Sequence, residues 1–222
     1  MIKLKKTDEP GVLTKHGQEW TQTILMKIAN KTMPTPTEKT RYRHTEIKAS
    51  LVAETHGKCA YCESKLQHIH HGDVEHIFPK SLAPEKTFEW DNLTFSCEIC
   101  NQKKSDKDPL LEHIIDPYLI DPKLHLMFLG SLVFPLGTSL GICTEAILDL
   151  NRGPLCEARK EHLERVMLIF RTILQKDLPL IVRKSIYDNL LEKEGSSSAA
   201  YSAMTASAIA MMREKLPQEF FN

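Results

Sequence analysis

Two short stretches, "KCAYCES" (58–64) and "SCEICNQKK" (96–104), enclose a third, "GDVEHIFPKS" (72–81), and together they decide the fold. Cys59 and Cys62 form one CxxC pair, and Cys97 and Cys100 form the other. Thiolates are soft ligands, and a two-residue gap lets both sulfurs of a knuckle face the same ion. Two such knuckles supply the four corners that Zn²⁺ prefers. A site closed by four cysteines has no open position, so its ion is structural. The insert between the knuckles is longer than in a minimal ribbon, and it holds the residues with chemistry to offer. Six cysteines in a reducing compartment argue for metal over a disulfide framework. Cys143 and Cys156 fall outside the pairs and read as small core residues.

Within the insert, His76 follows Glu75 directly, and Asn101 follows the second knuckle. An imidazole titrates near neutrality and suits a general base that takes a proton from water. A carboxylate and an amide are oxygen donors, suited to a hard cation such as Mg²⁺. An ion held by two protein oxygens keeps positions for water and a phosphate oxygen.

Outside this region the chain is ordinary. Its 222 residues are 41% hydrophobic and 26% charged, with 29 basic and 29 acidic side chains and a formal net charge of zero. No global field steers a polyanion toward it, so such binding must use local patches or a partner's surface. No segment approaches the roughly 20 apolar residues of a membrane span. The basic start "MIKLKKTDEPGVL" has no apolar run fit for a signal peptide. These features predict a cytoplasmic protein without a membrane partner.

Three parts are expected: an N-terminal arm and helices over 1–57, a metal-bound module over 58–108, and a hairpin with helices over 109–222. The pattern predicts an extended arm over 1–14 and a helix over 15–30. A linker follows at 32–39, and a second helix over 38–56 ends at Gly57. Strands are expected at 74–78 and 93–96, with a helix opening at the second knuckle. "HLMFLGSLVFPLG" (125–137) reads as a hairpin around Gly130-Ser131. Helix resumes from about Thr144, with Leu163, Val166, Met167, Phe170, Ile173 and Leu174 as an amphipathic stripe. Pro179 opens another helix, and a last one carries Met204, Met211 and Met212, read as core.

"VEHIFPKS" (74–81) followed by "WDNLTFSCEICNQKKS" (90–105) resembles the HNH endonucleases of the ββα-metal fold. "CAYCE", "EHIFPKS", the Asp-Pro turns at 116 and 121, "HLMF" and "LDLNRGPLCEAR" (148–159) look like the PtuB-type HNH proteins of anti-phage Septu and related retron systems. The resemblance implies an α+β, helix-rich protein, with a zinc-stabilised ββα-metal core flanked by N- and C-terminal helices. It places His76 at the family's general base, Glu75 and Asn101 at its metal-binding positions, and Asn92 at the middle Asn that braces the loop and the base. The family commonly has Asp where this chain has Glu75. The implied activity is metal-dependent phosphodiester hydrolysis, leaving 5′-phosphate and 3′-hydroxyl ends. The implied partners are nucleic acid, DNA favoured over RNA, and a PtuA-like ABC-type ATPase. The alternative from another class is a non-catalytic zinc-ribbon module that binds nucleic acid or protein.

Lys80, Lys103 and Lys104 are the expected phosphate contacts, with Lys86 and Lys107 nearby, and Arg41, Arg43 and Lys48 could extend that patch. "HIHHGD" (68–73) offers His68, His70, His71 and Asp73, which read as a polar loop over a second metal site. Trp90 reads as a packing anchor, and Glu63 as either a support for the knuckle or an exposed residue.

Overall fold

The computed structural model describes residues 1–66 and 71–221. His68 and His70 lie outside the described residues. After an extended arm, Pro10 (ψ 140°) precedes α1 (Gly11–Ala29), so the helix begins earlier than the apolar spacing indicates. The expected linker at 32–39 is partly helical. Pro36 occupies the first turn of α2 (Pro36–Thr40), where its missing N–H costs nothing. Thr35 and Glu38 close a reciprocal capping box there: Thr35 N–H donates to Glu38 Oε2 at 2.7 Å, and Glu38 N–H to Thr35 Oγ1 at 3.3 Å.

The helix expected over 38–56 is therefore in pieces. A tight turn at Arg41–Arg43 buries Tyr42, His44 breaks the helical backbone with ψ 141°, and α3 (Thr45–Glu54) follows. Ile47 and Leu51 on α3 are fully buried. His56 and Gly57 both take positive φ, and Gly57 N–H donates back to Val52 O at 2.7 Å. This left-handed exit turns the chain into the first knuckle.

Strand β1 (Asp73–His76) pairs antiparallel with β2 (Leu93–Ser96), with Val74 opposite Phe95 and His76 opposite Leu93. The strand ends at His76, short of the expected Phe78. Cys97 then caps α4 (Glu98–Lys104), its Sγ accepting from Cys100 N–H at 3.4 Å. Two strands and a helix form the ββα unit, with one knuckle ahead of β1 and the other at the junction of β2 and α4. Gly72 enters β1 with φ +63°, and a β-carbon there would collide with the Phe95 ring. Gly72→Ala is expected to lose about 2 kcal/mol or more, from the left-handed backbone and the crowded core. Urea unfolding of the purified variant measures it.

The hairpin forms as expected: β3 (Leu126–Leu129) and β4 (Leu132–Pro135) meet at Gly130, φ +62°. Helix α5 (Ser139–Ile147) begins before Thr144, because Thr138 caps it by accepting from Gly141 N–H at 3.1 Å. Helices α6 (Gly153–Ile173), α7 (Leu180–Lys193) and α8 (Ser202–Met212) complete the chain. One core gathers Leu13, Leu51, Phe95, Phe128, Leu155 and Met204, drawn from all three stretches of sequence. A second packs Val166, Phe170 and Ile173 of α6 against Tyr187, Leu190 and Phe220. Met211 departs from its expected core place and is exposed: it shares the face of α8 that carries Met204 and Ala208 but lies in the last turn, at the rim of the small cavity that they line with Phe128 and Leu163. Among the described residues no helix is long and apolar enough to cross a membrane.

Candidate functional site

The four sulfurs of Cys59, Cys62, Cys97 and Cys100 lie within 4.8 Å of one another and are all buried. A tetrahedral ion with Zn–S bonds of about 2.3 Å requires sulfur pairs roughly 3.8 Å apart. Cys62 Sγ and Cys97 Sγ are 3.9 Å apart, so the donor set fits such an ion. Behind the first knuckle, Glu63 is buried as an acceptor from two cations and one hydroxyl. Its Oε1 meets the Met1 ammonium at 2.7 Å, and its Oε2 meets Lys58 Nζ at 3.2 Å and Ser202 Oγ at 2.7 Å. Burial alone would raise its pKa, but the ammonium and Lys58 outweigh it and hold the carboxyl at about 2. Of the two expectations for Glu63, the structure shows the supporting one.

His76 closes β1 and is 5% exposed. Its Nε2 lies 3.0 Å from Thr87 O. A carbonyl only accepts, so Nε2 carries the proton and the lone pair belongs to Nδ1. Burial, and then the Lys80 charge, push its pKa down to about 3, so the ring is neutral at physiological pH. Tyr42 stands edge-on to the imidazole, ring centres 4.6 Å apart, and its hydroxyl accepts from Lys80 Nζ at 3.2 Å. Tyr42 carries no periodic signal in the sequence. Its only hint is its place between two arginines.

Asn92 clamps the loop that holds His76. Its Oδ1 accepts from Phe78 N–H at 2.7 Å, while Nδ2 donates to Phe78 O at 3.0 Å and Lys86 O at 3.1 Å. Thr87, whose carbonyl meets the imidazole, follows Lys86 directly.

Helix α4 lies along β1. Asn101 Nδ2 donates to Asp73 Oδ2 at 3.0 Å, and a carboxylate only accepts, so Asn101 Oδ1 is the atom left to face a cation. One turn later Lys104 is 1% exposed, bound to Glu75 Oε1 at 3.0 Å and to His76 O at 2.8 Å. Burial raises the Glu75 pKa, and the Lys104 ammonium works against that shift. The structure thus brings Glu75, His76 and Asn101 onto adjoining elements, with Asn101 contacting Asp73 rather than Glu75.

The expected phosphate contacts divide. Lys80 is exposed beside Tyr42 and His76. Lys103 is exposed and paired with Asp149 at 2.9 Å. Lys104 corrects the expectation: buried against a carboxylate and a carbonyl, it faces the framework and not solvent. Arg43, Lys48 and His71 line an open groove of about 590 Å³. Arg41 lies over the Trp20 ring instead, at 5.5 Å. Trp90 is the anchor the sequence suggested, donating Nε1–H to Thr7 O at 2.8 Å.

Residues 59–107 match the family model described as HNH endonuclease. The chain is 33% identical over 127 residues to the Septu protein PtuB of Bacillus thuringiensis, covering 57% of this chain and 46% of that protein. That match spans about half of the relative's length. It is also 25% identical over 259 aligned positions to the Septu protein PtuB of Bacillus mycoides (strain KBAB4), covering 92% of this chain and 88% of that one. The ββα unit and its four-thiol centre agree with these likenesses: residues 59–107 match an HNH endonuclease domain, and the chain is similar to the Septu PtuB proteins.

Proposed function

We propose that the chain is the nuclease subunit of a Septu-type anti-phage complex, hydrolysing phosphodiester bonds of nucleic acid, DNA in preference to RNA. The observation that carries this reading is His76: a neutral imidazole with Nε2–H tied to Thr87 O and Nδ1 left as the basic atom, on the strand beside Asn101 and Glu75. His76 takes a proton from water at Nδ1 as the water oxygen attacks phosphorus. The bond to the 3′ oxygen breaks, its electron pair leaves on that oxygen, which takes a proton from solvent water, and the products carry a 5′-phosphate and a 3′-hydroxyl. Asn92 keeps Thr87 O in place and so keeps the ring oriented. Lys80 and Arg43 offer positive charge to the phosphate near His76.

Glu75 and Asn101 would hold a divalent cation, Mg²⁺ by the hardness of their oxygens. Asn101 suits this because its amide nitrogen is already committed to Asp73. When bound, such an ion supplies Lewis-acid stabilisation of phosphate charge. The cysteine centre holds zinc and acts only on the fold. The 58–108 stretch is the nuclease module, with 1–57 and 109–222 as its flanks. The zero net charge fits a subunit brought to its substrate by a PtuA-like ATPase.

The test uses zinc-loaded protein, with and without the ATPase, on plasmid DNA and on RNA. Cleavage of DNA that requires added Mg²⁺, in at least one of the two protein mixtures, is the expected result. Omitting Mg²⁺ leaves zinc in place, so it separates the two ions. Tight DNA or protein binding without cleavage under every condition would favour the non-catalytic zinc-ribbon alternative.

A further inference from the structure

Between α2 and α3 the chain reads "RYR" (41–43), and the proposed chemistry gives its middle residue no task. The tight turn sends Tyr42 inward, to 4% exposure, while Arg43 stays outside. Two contacts meet on that one side chain. The His76 imidazole packs against the ring nearly at right angles, 74° between planes, with ring centres 4.6 Å apart. The hydroxyl oxygen accepts from Lys80 Nζ at 3.2 Å, and the same ammonium lies 4.6 Å from the ring centre. Both contacts cross from the N-terminal flank to the metal-bracketed module.

The nature of the partner matters for Lys80. A carboxylate beside an ammonium cancels most of its field, so little attraction is left for a phosphate. A phenol oxygen is neutral. It fixes the ammonium by one hydrogen bond, and the ring adds a cation–π attraction, yet the full positive charge remains. Among the described residues no carboxylate lies within ion-pair distance of Lys80, whereas Lys103 is paired with Asp149 and Lys104 with Glu75. A lysine stem is also flexible, and ordering it costs entropy that an anchored ammonium has already lost. Lys80 is thus exposed, held in place and still charged.

We infer that Tyr42 is a positioning residue for phosphodiester cleavage: its ring walls the His76 imidazole, and its hydroxyl holds the Lys80 ammonium where the reacting phosphate arrives. The inference rests on the reading of His76 as the general base. His76 closes β1, and Lys80 lies four residues on, in the turn that follows. One side chain from outside the module therefore sets the spacing between a base that must meet water and a cation that must meet phosphate. A misplacement of about 1 Å in such a pair can cost about 100-fold in rate.

The experiment measures plasmid cleavage by the full-length, zinc-loaded chain with Mg²⁺, in whichever protein mixture cleaves, with folding followed by circular dichroism. Tyr42→Phe keeps the ring and removes the oxygen. It is expected to lower kcat about 3- to 10-fold, the worth of one hydrogen bond. KM should stay within about twofold, because many phosphates hold the plasmid and only the reacting one meets Lys80. Tyr42→Leu removes the wall as well and is expected to lower kcat about 100-fold. In a Lys80→Met background, Tyr42→Phe should have no further effect, because the hydroxyl acts through the ammonium. Wild-type kcat in Tyr42→Phe would overturn the inference, as would its full loss on top of Lys80→Met, or a change in KM alone. If Tyr42→Leu does not fold, the cycle of Tyr42→Phe and Lys80→Met decides alone. A wild-type chain that cleaves nothing fails differently: it removes the reading of His76, and the inference with it.

Discussion

Replacing His76 by alanine is expected to slow phosphodiester cleavage by about 10²- to 10⁴-fold, the range that a positioned general base contributes. Water is a weak nucleophile, and the proton it sheds must go somewhere as the bond to phosphorus forms. Nδ1 of His76 is the basic atom, because Nε2–H is committed to Thr87 O. The variant should still bind zinc, since no sulfur is touched and the second knuckle is anchored through β2 and α4. Initial rates on plasmid DNA, with zinc content and circular dichroism measured on the same samples, separate a catalytic loss from an unfolded protein. Cleavage by His76→Ala at the wild-type rate would overturn the assignment of the base.

The second large effect concerns the sulfur centre. Cys97→Ser, or removal of zinc with a strong chelator, is expected to abolish cooperative unfolding of the 58–108 region. Structural zinc sites contribute apparent binding energies of about 10–16 kcal/mol, comparable with or larger than the roughly 5–15 kcal/mol by which a whole domain is stable. Without the ion, four cysteines must share a buried space as thiols. Differential scanning calorimetry, together with metal analysis, reads this directly. A Cys97→Ser protein with the wild-type melting temperature and no bound metal would show that zinc does not hold the fold.

What the sequence disclosed follows a physical pattern. The cysteines, His76, Asn92 and Asn101 were legible because their chemistry depends on side-chain type at short spacing. Thr87 was not, since it acts through its carbonyl, and every residue has one. Tyr42 was hidden by the turn at Arg41–Arg43, which breaks the expected helix and swings the ring onto His76. The burial of Lys104 and Arg159 ran against the usual exposure of long cationic side chains. Both are inside because an anion or carbonyl reaches them there, which is a tertiary fact with no local signature. The hairpin, by contrast, was plain from two apolar runs around a glycine, because its register is fixed by neighbours in the chain.

The buried Glu63 sets an order of assembly. Its carboxylate lies beside the first knuckle, yet one of its close partners, Ser202, is 139 residues away along the chain. Contacts of such wide separation form late and slow the overall rate, because the intervening chain must first lose its freedom. Until α8 arrives, Glu63 and Lys58 face each other without the hydroxyl that completes their shell. The surroundings of the first knuckle in a newly made chain are therefore complete only once synthesis has passed Ser202.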